Sequence, residues 1–373
     1  MNRLAIGLSI LLATSAGAVA LADQSGSSRL ASLLGSNDGN GFRKALSPRD
    51  FEFPADHGPH PDYRNEWWYV TGNLDSDSGR RFGFELTFFR FALAPAPSPT
   101  DSAWRSNQVY IAHLAVTDAD GNRFFTSERY SRGAVGLAGA EAEPLRVWID
   151  DWQLRADATA QDWQLVAHSD DVALDLRLTP ARQPVLNGVD GLSQKSAEAG
   201  NASYYYSITR LQTDGRLTVA GEQHVVNGLS WLDREWSSSA LSPDQVGWDW
   251  FALQFEDGSD LMFYNIRLAG GEQDTHSAGT RVRADGSARH IDRSDISIIV
   301  DDTWTSPAGG SYPSRWTLTM PSEGLSVRIT PVIENQELFT TVRYWEGAVD
   351  VEGVRGGKPL RGRGYVELTG YAD

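Results

Sequence analysis

The chain has 373 residues, no cysteine, and 49 acidic against 33 basic side chains, for a net charge of -16. This excludes disulfides, thiolate metal sites and a cysteine nucleophile, and it argues against nucleic acid or an anionic membrane surface as partner. Without disulfides, stability must come from apolar burial, and a chain of this length suggests two domains.

Residues 1–22 read as a signal peptide. Arg3 supplies the positive end, Leu4 to Leu12 the apolar run, and Ala20-Leu21-Ala22 the small-residue cleavage site before Asp23, with Ala18-Val19-Ala20 as a second possible site. The apolar run is too short to span a bilayer. The expected product is a periplasmic or secreted protein without a lipidated cysteine and without stable membrane insertion. Residues 23–60 are rich in Ser, Gly, Asn and Asp and predict a flexible arm, with one short helix in SSRLASLLGS.

From Pro61 onward the pattern is β. Short aromatic and β-branched runs recur, with Asp-Gly pairs at Asp120, Asp214, Asp257 and Asp285 predicting hairpin turns. Strands are expected at Trp67–Leu74, Phe82–Phe91, Val109–Thr117, Leu145–Ile149, Trp163–Ala167, Val172–Thr179, Tyr204–Leu211 and Arg216–Val226. A second series covers Phe251–Phe255, Leu261–Ile266, Ile296–Val300, Ser314–Met320, Leu325–Pro331, Leu338–Arg343, Ala348–Val351 and Gly364–Leu368. The fold class is therefore all-β, with two antiparallel units divided near Ser237-Ser238-Ser239.

Alternation assigns faces within these strands. In Glu66-Trp67-Trp68-Tyr69, Glu66 goes with Trp68 and Trp67 with Tyr69; one side plugs a barrel and the other meets the neighbouring unit. In Phe82 to Phe89 the even positions are core, and Glu85 faces a more polar space. His113 reads as a hydrogen-bonded core histidine. In GLSWLDREW, Trp231, Asp233 and Glu235 share one face, and Leu232, Arg234 and Trp236 the other. Two carboxylates beside a tryptophan repel, and desolvation raises at least one pKa, so one of them can stay protonated near neutral pH. The competing reading pairs them with arginine as a structural lock. Asp56-His57-Gly58-Pro59-His60-Pro61-Asp62 has side chains a metal could use, but it lies in a proline-broken loop with no nearby partner cluster. The sequence has no nucleophile elbow, phosphate loop or dinucleotide fingerprint, and no metal or cofactor is expected.

The stretches EWWYVTGNL, FGFELTFFR, AHLAVTD, SYYYSITRL, GLSWLDREWSS, WDWFALQFEDG, YPSRWTLTMP, YWEGAVDVEG and GRGYVELTGYAD occur in this order over nearly the whole mature chain. They resemble the AttH-like family, which includes carotenoid 1,2-hydratases (hydroxyneurosporene synthases) and proteins described as predicted secreted hydrolases. The resemblance implies two tandem lipocalin-like (calycin) barrels, over 61–238 and 239–373. Thirteen tryptophans, twelve tyrosines and fourteen phenylalanines suit a ring-walled cavity for an elongated lipophilic small molecule, and packing between the two units would use the same rings. For that binding role the resemblance implies an association with an ABC-type export system. In the hydratase branch the segment matching Asp233-Arg234-Glu235-Trp236 looks like Asp-His-x-Trp. Trp236 matches, but Arg234 stands at the histidine, and arginine cannot shuttle protons near neutral pH. Tyr264 is followed by Asn265, with no aspartate after it in the strand.

Three readings stay open: a binder of a lipophilic molecule, an acid-catalysed hydratase or cyclase acting on one, and a non-catalytic envelope protein. The candidate catalytic residues are Asp233, Glu235, Trp236 and Tyr264. The candidate ligand-binding residues are Glu66, Trp68, Glu85, Arg234, Trp248 and Trp250.

Overall fold

The computed structural model describes residues 41–96, 102–157, 159, 161–239 and 242–372. The expected signal peptide, the first part of the arm and its short helix lie outside them. The described residues form two antiparallel sheets, a nearly closed barrel and a half-barrel, with helix limited to three short 3-10 turns.

The first sheet runs in the order Arg123–Arg132, Gln108–Asp118, Arg81–Ala92, Asn65–Ser76, Glu222–Ser239, Ala202–Val219, Val172–Pro180, Trp163–His168, Trp152–Ala156, Leu145–Ile149 and Ala138–Ala142. Its two ends approach each other, and the Arg129 guanidinium lies 4.6 Å from the Trp152 ring centre. Large side chains at alternate positions fill the interior, among them Trp68, Phe82, Phe84, Phe88, Leu232 and Trp236. The second sheet runs Ala288–Asp292, Ala278–Val282, Asp260–Leu268, Gln245–Phe255, Lys358–Leu368, Arg343–Arg355, Leu325–Pro331, Ser311–Met320 and Ser297–Thr305. Its concave side is filled by Phe251, Leu253, Trp316, Trp345 and Val349.

Three of the four Asp-Gly pairs are turns, but Asp214-Gly215 is not. One strand, Ala202–Val219, runs straight through it, and the hairpin closes at Ala220-Gly221, where both residues have positive φ. Gly215 is needed for a different reason. A Cβ there would sit 2.2 Å from the Asp175 carbonyl oxygen on the neighbouring strand.

The arm also differs from the flexible segment expected. Residues 43–60 lie against the open end of the first barrel: the Phe51 ring is 5.5 Å from Trp236, and the His57 carbonyl accepts the Trp68 indole N–H at 2.8 Å. His60 stacks on Trp236 at 3.7 Å between ring centres. The arm stays in place because it supplies acceptors and aromatic contacts that the barrel end lacks.

The outer face of the first sheet packs on the outer face of the second. At one end the seam is tight. A Cβ on Gly83 would lie 2.6 Å from the Ala348 methyl, Asn73 Nδ2 donates to the Gly364 carbonyl at 3.0 Å, and Thr117 Oγ1 donates to Gln336 at 2.7 Å. Towards the other end the small residues give way to long aromatic and acidic ones, and the sheets part.

Candidate active site

The part of the seam that opens is a cavity lined by Trp67, Tyr69, Lys195, Asp233, Trp250 and Glu367 together with further residues of both sheets. The volume open to the centres of water-sized molecules is about 90 Å³. At the roughly 30 Å³ that each water takes up in the liquid, this is room for about three waters or one end of a larger molecule.

Strand register explains which residues meet there. In the first sheet, Tyr69 lies opposite both Asp233 and Thr87, and Trp67 opposite both Glu235 and Phe89. Tyr205 and Ser207 lie opposite Glu235 and Asp233 on the other side. In the second sheet, Glu346, Glu367, Trp250 and Tyr264 form one row across four strands. Because side chains alternate with period two, all of these fall on the faces that oppose each other.

Asp233 is the most heavily partnered acid. Its Oδ1 accepts from Ser207 Oγ at 2.5 Å and from Trp231 Nε1 at 2.6 Å, and Tyr205 donates to Oδ2. The Tyr205 hydroxyl in turn accepts from Trp250 Nε1 of the second sheet at 3.2 Å. Burial pushes the Asp233 carboxyl up to about 7; the three donors pull it down, and nearby Glu235 pushes it up again. Glu367 is also pushed up to about 7, by burial first and then by Asp233 and Glu235, against a 3.0 Å hydrogen bond from Trp248 Nε1.

Glu346 is raised well above the ordinary range by burial and by the charges of Glu367 and Glu85. It accepts from Tyr69, while its second oxygen is buried with no partner among the described residues. Glu85, bonded by Thr87 just behind the cavity wall, is raised in the same way and also has one unpartnered oxygen. Lys195 is the basic residue among the lining side chains, 3.3 Å from Glu235 and 3.9 Å from the Tyr264 ring centre. Burial works against its charge, but Glu235 and Tyr264 hold its pKa above the ordinary value. Ser203 donates to Glu235, and Ser193 pairs with the Tyr264 hydroxyl at 2.9 Å.

Four acids, Asp233, Glu235, Glu346 and Glu367, thus share one small, partly open space with one ammonium. Like charges in a desolvated site cannot all ionise, so the cavity holds neutral carboxyl groups at neutral pH beside a fixed ion pair. Such groups can donate protons or hydrogen bonds to a bound molecule.

Of the candidates read from the sequence, Asp233, Glu235, Tyr264, Trp248 and Trp250 line this cavity, and Glu85 lies behind it. Four others do not belong to it. Glu66, Trp68, Arg234 and Trp236 occupy the opposite faces of their strands and point into the first barrel. There Glu66 accepts from both Arg90 and Arg234, and the Arg234 guanidinium lies 3.9 Å from the Trp68 ring centre. Burial opposes the Glu66 charge, but the two arginines hold its carboxyl well below the ordinary range. This is a buried lock at the barrel end, and Trp236 is core beside it. Sequence reading missed Lys195, Glu346 and Glu367 as site residues, along with Trp67 and Tyr69. Trp67 and Tyr69 were within reach, since alternation already set them apart from Glu66 and Trp68. Among the described residues no group of three or more His, Asp and Glu side chains is placed to hold a metal ion.

A nearly closed antiparallel barrel joined to a half-barrel is the lipocalin-like two-sheet architecture. Residues 44–371 match the AttH-like family, and the chain belongs to it. Its structure is similar to that of an AttH protein from Nitrosomonas europaea, with a TM-score of 0.79 and 35% identity over 89% of this chain and 100% of that one. Kievitone hydratase from Nectria haematococca shares the fold, with a TM-score of 0.68 and 17% identity over 89% of this chain and 96% of that one. The sequence is also similar to dehydratase asqC of Emericella nidulans, 24% identical over 215 residues, which is 53% of this chain and 58% of that protein. The relatives thus include hydratase and dehydratase enzymes.

Proposed function

We propose that the protein is a lyase that adds or removes water on a small, largely apolar molecule held in the seam cavity. The observation that carries this reading is the pair Asp233 and Glu367, both brought to about 7 against one aromatic-walled space. A carboxyl near the working pH is the group that can hand a proton to a departing hydroxyl and take it back in the reverse direction. Trp67, Trp248 and Trp250 would hold an apolar skeleton, and the Lys195–Glu235 pair would orient a polar end. Hydratase and dehydratase relatives favour the same chemistry.

The test is to incubate the protein with a panel of apolar β-hydroxy ketones, hydroxylated terpenoids and their dehydrated partners in ¹⁸O-labelled water. Mass spectrometry then follows water loss and label uptake. The reading expects turnover on some member of the panel, lost in Asp233→Asn and in Glu367→Gln. Wild-type activity in both variants, or no water chemistry with any compound, overturns it.

The second reading is a non-catalytic carrier of a lipophilic molecule, favoured by the aromatic walls alone. It predicts tight retention of a ligand recovered unchanged in organic extracts. In both readings we place the protein outside the cytoplasm after removal of residues 1–22. Amino-terminal sequencing of the exported protein tests this, and a retained leader would count against it.

A further inference from the structure

A second group of polar residues reaches the cavity from the surface and is not used by the acids just described. Tyr344, from the second sheet, is part of the cavity wall. Its hydroxyl is 2.7 Å from Nδ1 of His113, from the first sheet. His113 Nε2 is 3.0 Å from Oε1 of Glu128, its direct cross-strand neighbour. Glu128 is partly open to solvent and also accepts from the Thr341 amide at 3.0 Å and the Thr341 hydroxyl at 2.8 Å. His113 itself is buried, with the Phe89 ring edge-on at 5.3 Å.

The donors and acceptors along this line fall into one order. Burial works against the Glu128 charge, but the hydrogen bonds from His113 and Thr341 hold its carboxyl below the ordinary range, so it is an acceptor at neutral pH. His113 Nε2 must then carry hydrogen. In the neutral ring Nδ1 is an acceptor, and the Tyr344 hydroxyl donates to it. The Tyr344 oxygen is left with its lone pairs free to accept. An ionised tyrosinate is disfavoured here, since burial and the charges of Glu85, Glu346, Glu367 and Glu128 push the Tyr344 phenol well above its ordinary value. A tyrosine that passes its proton to the histidine as it receives another never has to ionise.

We propose that Tyr344 is the catalytic base of the water-lyase reaction, acting as one unit with His113 and Glu128 as positioning residues. This rests on the lyase reading above. In the dehydration direction, the proton α to a carbonyl moves to Tyr344 Oη while the Tyr344 hydroxyl proton moves to His113 Nδ1. The C–H electron pair becomes the new C=C bond as the C–O bond breaks, and the departing hydroxide takes the proton of the Asp233 carboxyl to leave as water. Asp233 is then a carboxylate and His113 an imidazolium held by Glu128. The imidazolium returns its Nδ1 proton through Tyr344 to water, and Asp233 takes one from water. The same arrangement (a reacting group, a base and a third group that orients it) recurs wherever a weak hydroxyl is made reactive.

The test separates the base from the lyase reading. ¹⁵N-histidine NMR of the full protein should show His113 as the Nε2–H tautomer, with the Nδ1 resonance displaced in Tyr344→Phe. In D₂O, the protein should exchange the α protons of benzylacetone, which has no leaving hydroxyl. Tyr344→Phe and His113→Asn should each slow this exchange at least about 100-fold with KM little changed, and Glu128→Gln less so. Circular dichroism checks that each variant folds. An Nδ1–H tautomer, absence of exchange in the wild type, or unchanged exchange in His113→Asn overturns the assignment. The β-hydroxy derivative of the same ketone reports on water loss. Dehydration that survives His113→Asn overturns the base and spares the lyase reading; exchange without dehydration does the reverse.

Discussion

Tyr69 of the first sheet donates its phenolic hydroxyl to Glu346 of the second, and this hydrogen bond joins the two halves beside the Trp250–Tyr205 and Tyr344–His113 contacts. Among the described residues Glu346 has no other donor for that oxygen, and its companion oxygen lacks a partner. Tyr69→Phe should therefore destabilise the protein by about 1–3 kcal/mol, the usual cost of orphaning a buried polar group. Urea unfolding checks this, and a loss below a few tenths of a kcal/mol would mean water replaces the phenol at no cost.

Stability should fall as pH rises through the neutral range. Asp233 and Glu367 titrate near 7 when folded, against ordinary values of 3.8 and 4.5. Between those values the native state binds more protons than the unfolded chain, so stability decreases as pH rises, and the loss is complete above about 7. A single carboxyl shifted this far costs on the order of 4 kcal/mol at most at pH 8. Asp233→Asn combined with Glu367→Gln should flatten the decline in Tm between pH 5 and 8. The slope is the readout, because Asp233→Asn also disturbs three donors. An unchanged slope would show that these acids do not titrate in that window.

Glu66 should behave in the opposite sense and without effect on the cavity. Its folded pKa lies well below the ordinary 4.5, so its contribution is present above that value and is lost as pH falls through the folded pKa. Glu66→Gln leaves Arg90 and Arg234 buried without their anion and should cost about 3–5 kcal/mol. Trp236→Ala, which empties the same barrel end, should cost a similar ~3–5 kcal/mol. Neither should change the affinity of a fluorescent apolar probe for the seam, whereas Trp250→Ala should. Probe binding that tracks Trp236 and ignores Trp250 would move the site into the barrel.

Lys195 should decide the charge of what binds. Lys195→Met removes the ammonium beside Glu235 and should weaken binding of a carboxylate-bearing apolar probe about tenfold, roughly 1.4 kcal/mol. A neutral probe of the same shape should be nearly unaffected. Calorimetry with the two probes checks this, and equal losses for both would reduce Lys195 to a packing role.

The residues that were legible in the sequence were those whose meaning lies within one strand. GLSWLDREW shows its two faces by alternation, and the Asp233 and Glu235 face is the one that reaches the cavity. Alternation does not say which face looks at a hollow and which at a barrel interior, so Glu66, Trp68, Arg234 and Trp236 read as site candidates while Trp67 and Tyr69 did not. Glu346 and Glu367 join the site only through the pairing of strands far apart in sequence and through packing between sheets. Lys195 lies just past a three-residue strand and carries no local pattern at all. Asp214-Gly215 misled for a related reason, since a glycine required by a neighbouring backbone looks the same as one required by a turn.

The hollow is bounded by outward-facing positions, and the packed interiors of the barrel and half-barrel take no part in it. A substitution at Trp67, Thr87, Ile266 or Glu367 can reshape the chamber while leaving both interiors as they are. Residues of both sheets line this chamber, so neither half forms it by itself. Divergence in this architecture can therefore proceed by repainting two opposed walls one position at a time, and splitting the chain between Ser239 and Gln245 should leave two fragments with no binding capacity until they are mixed.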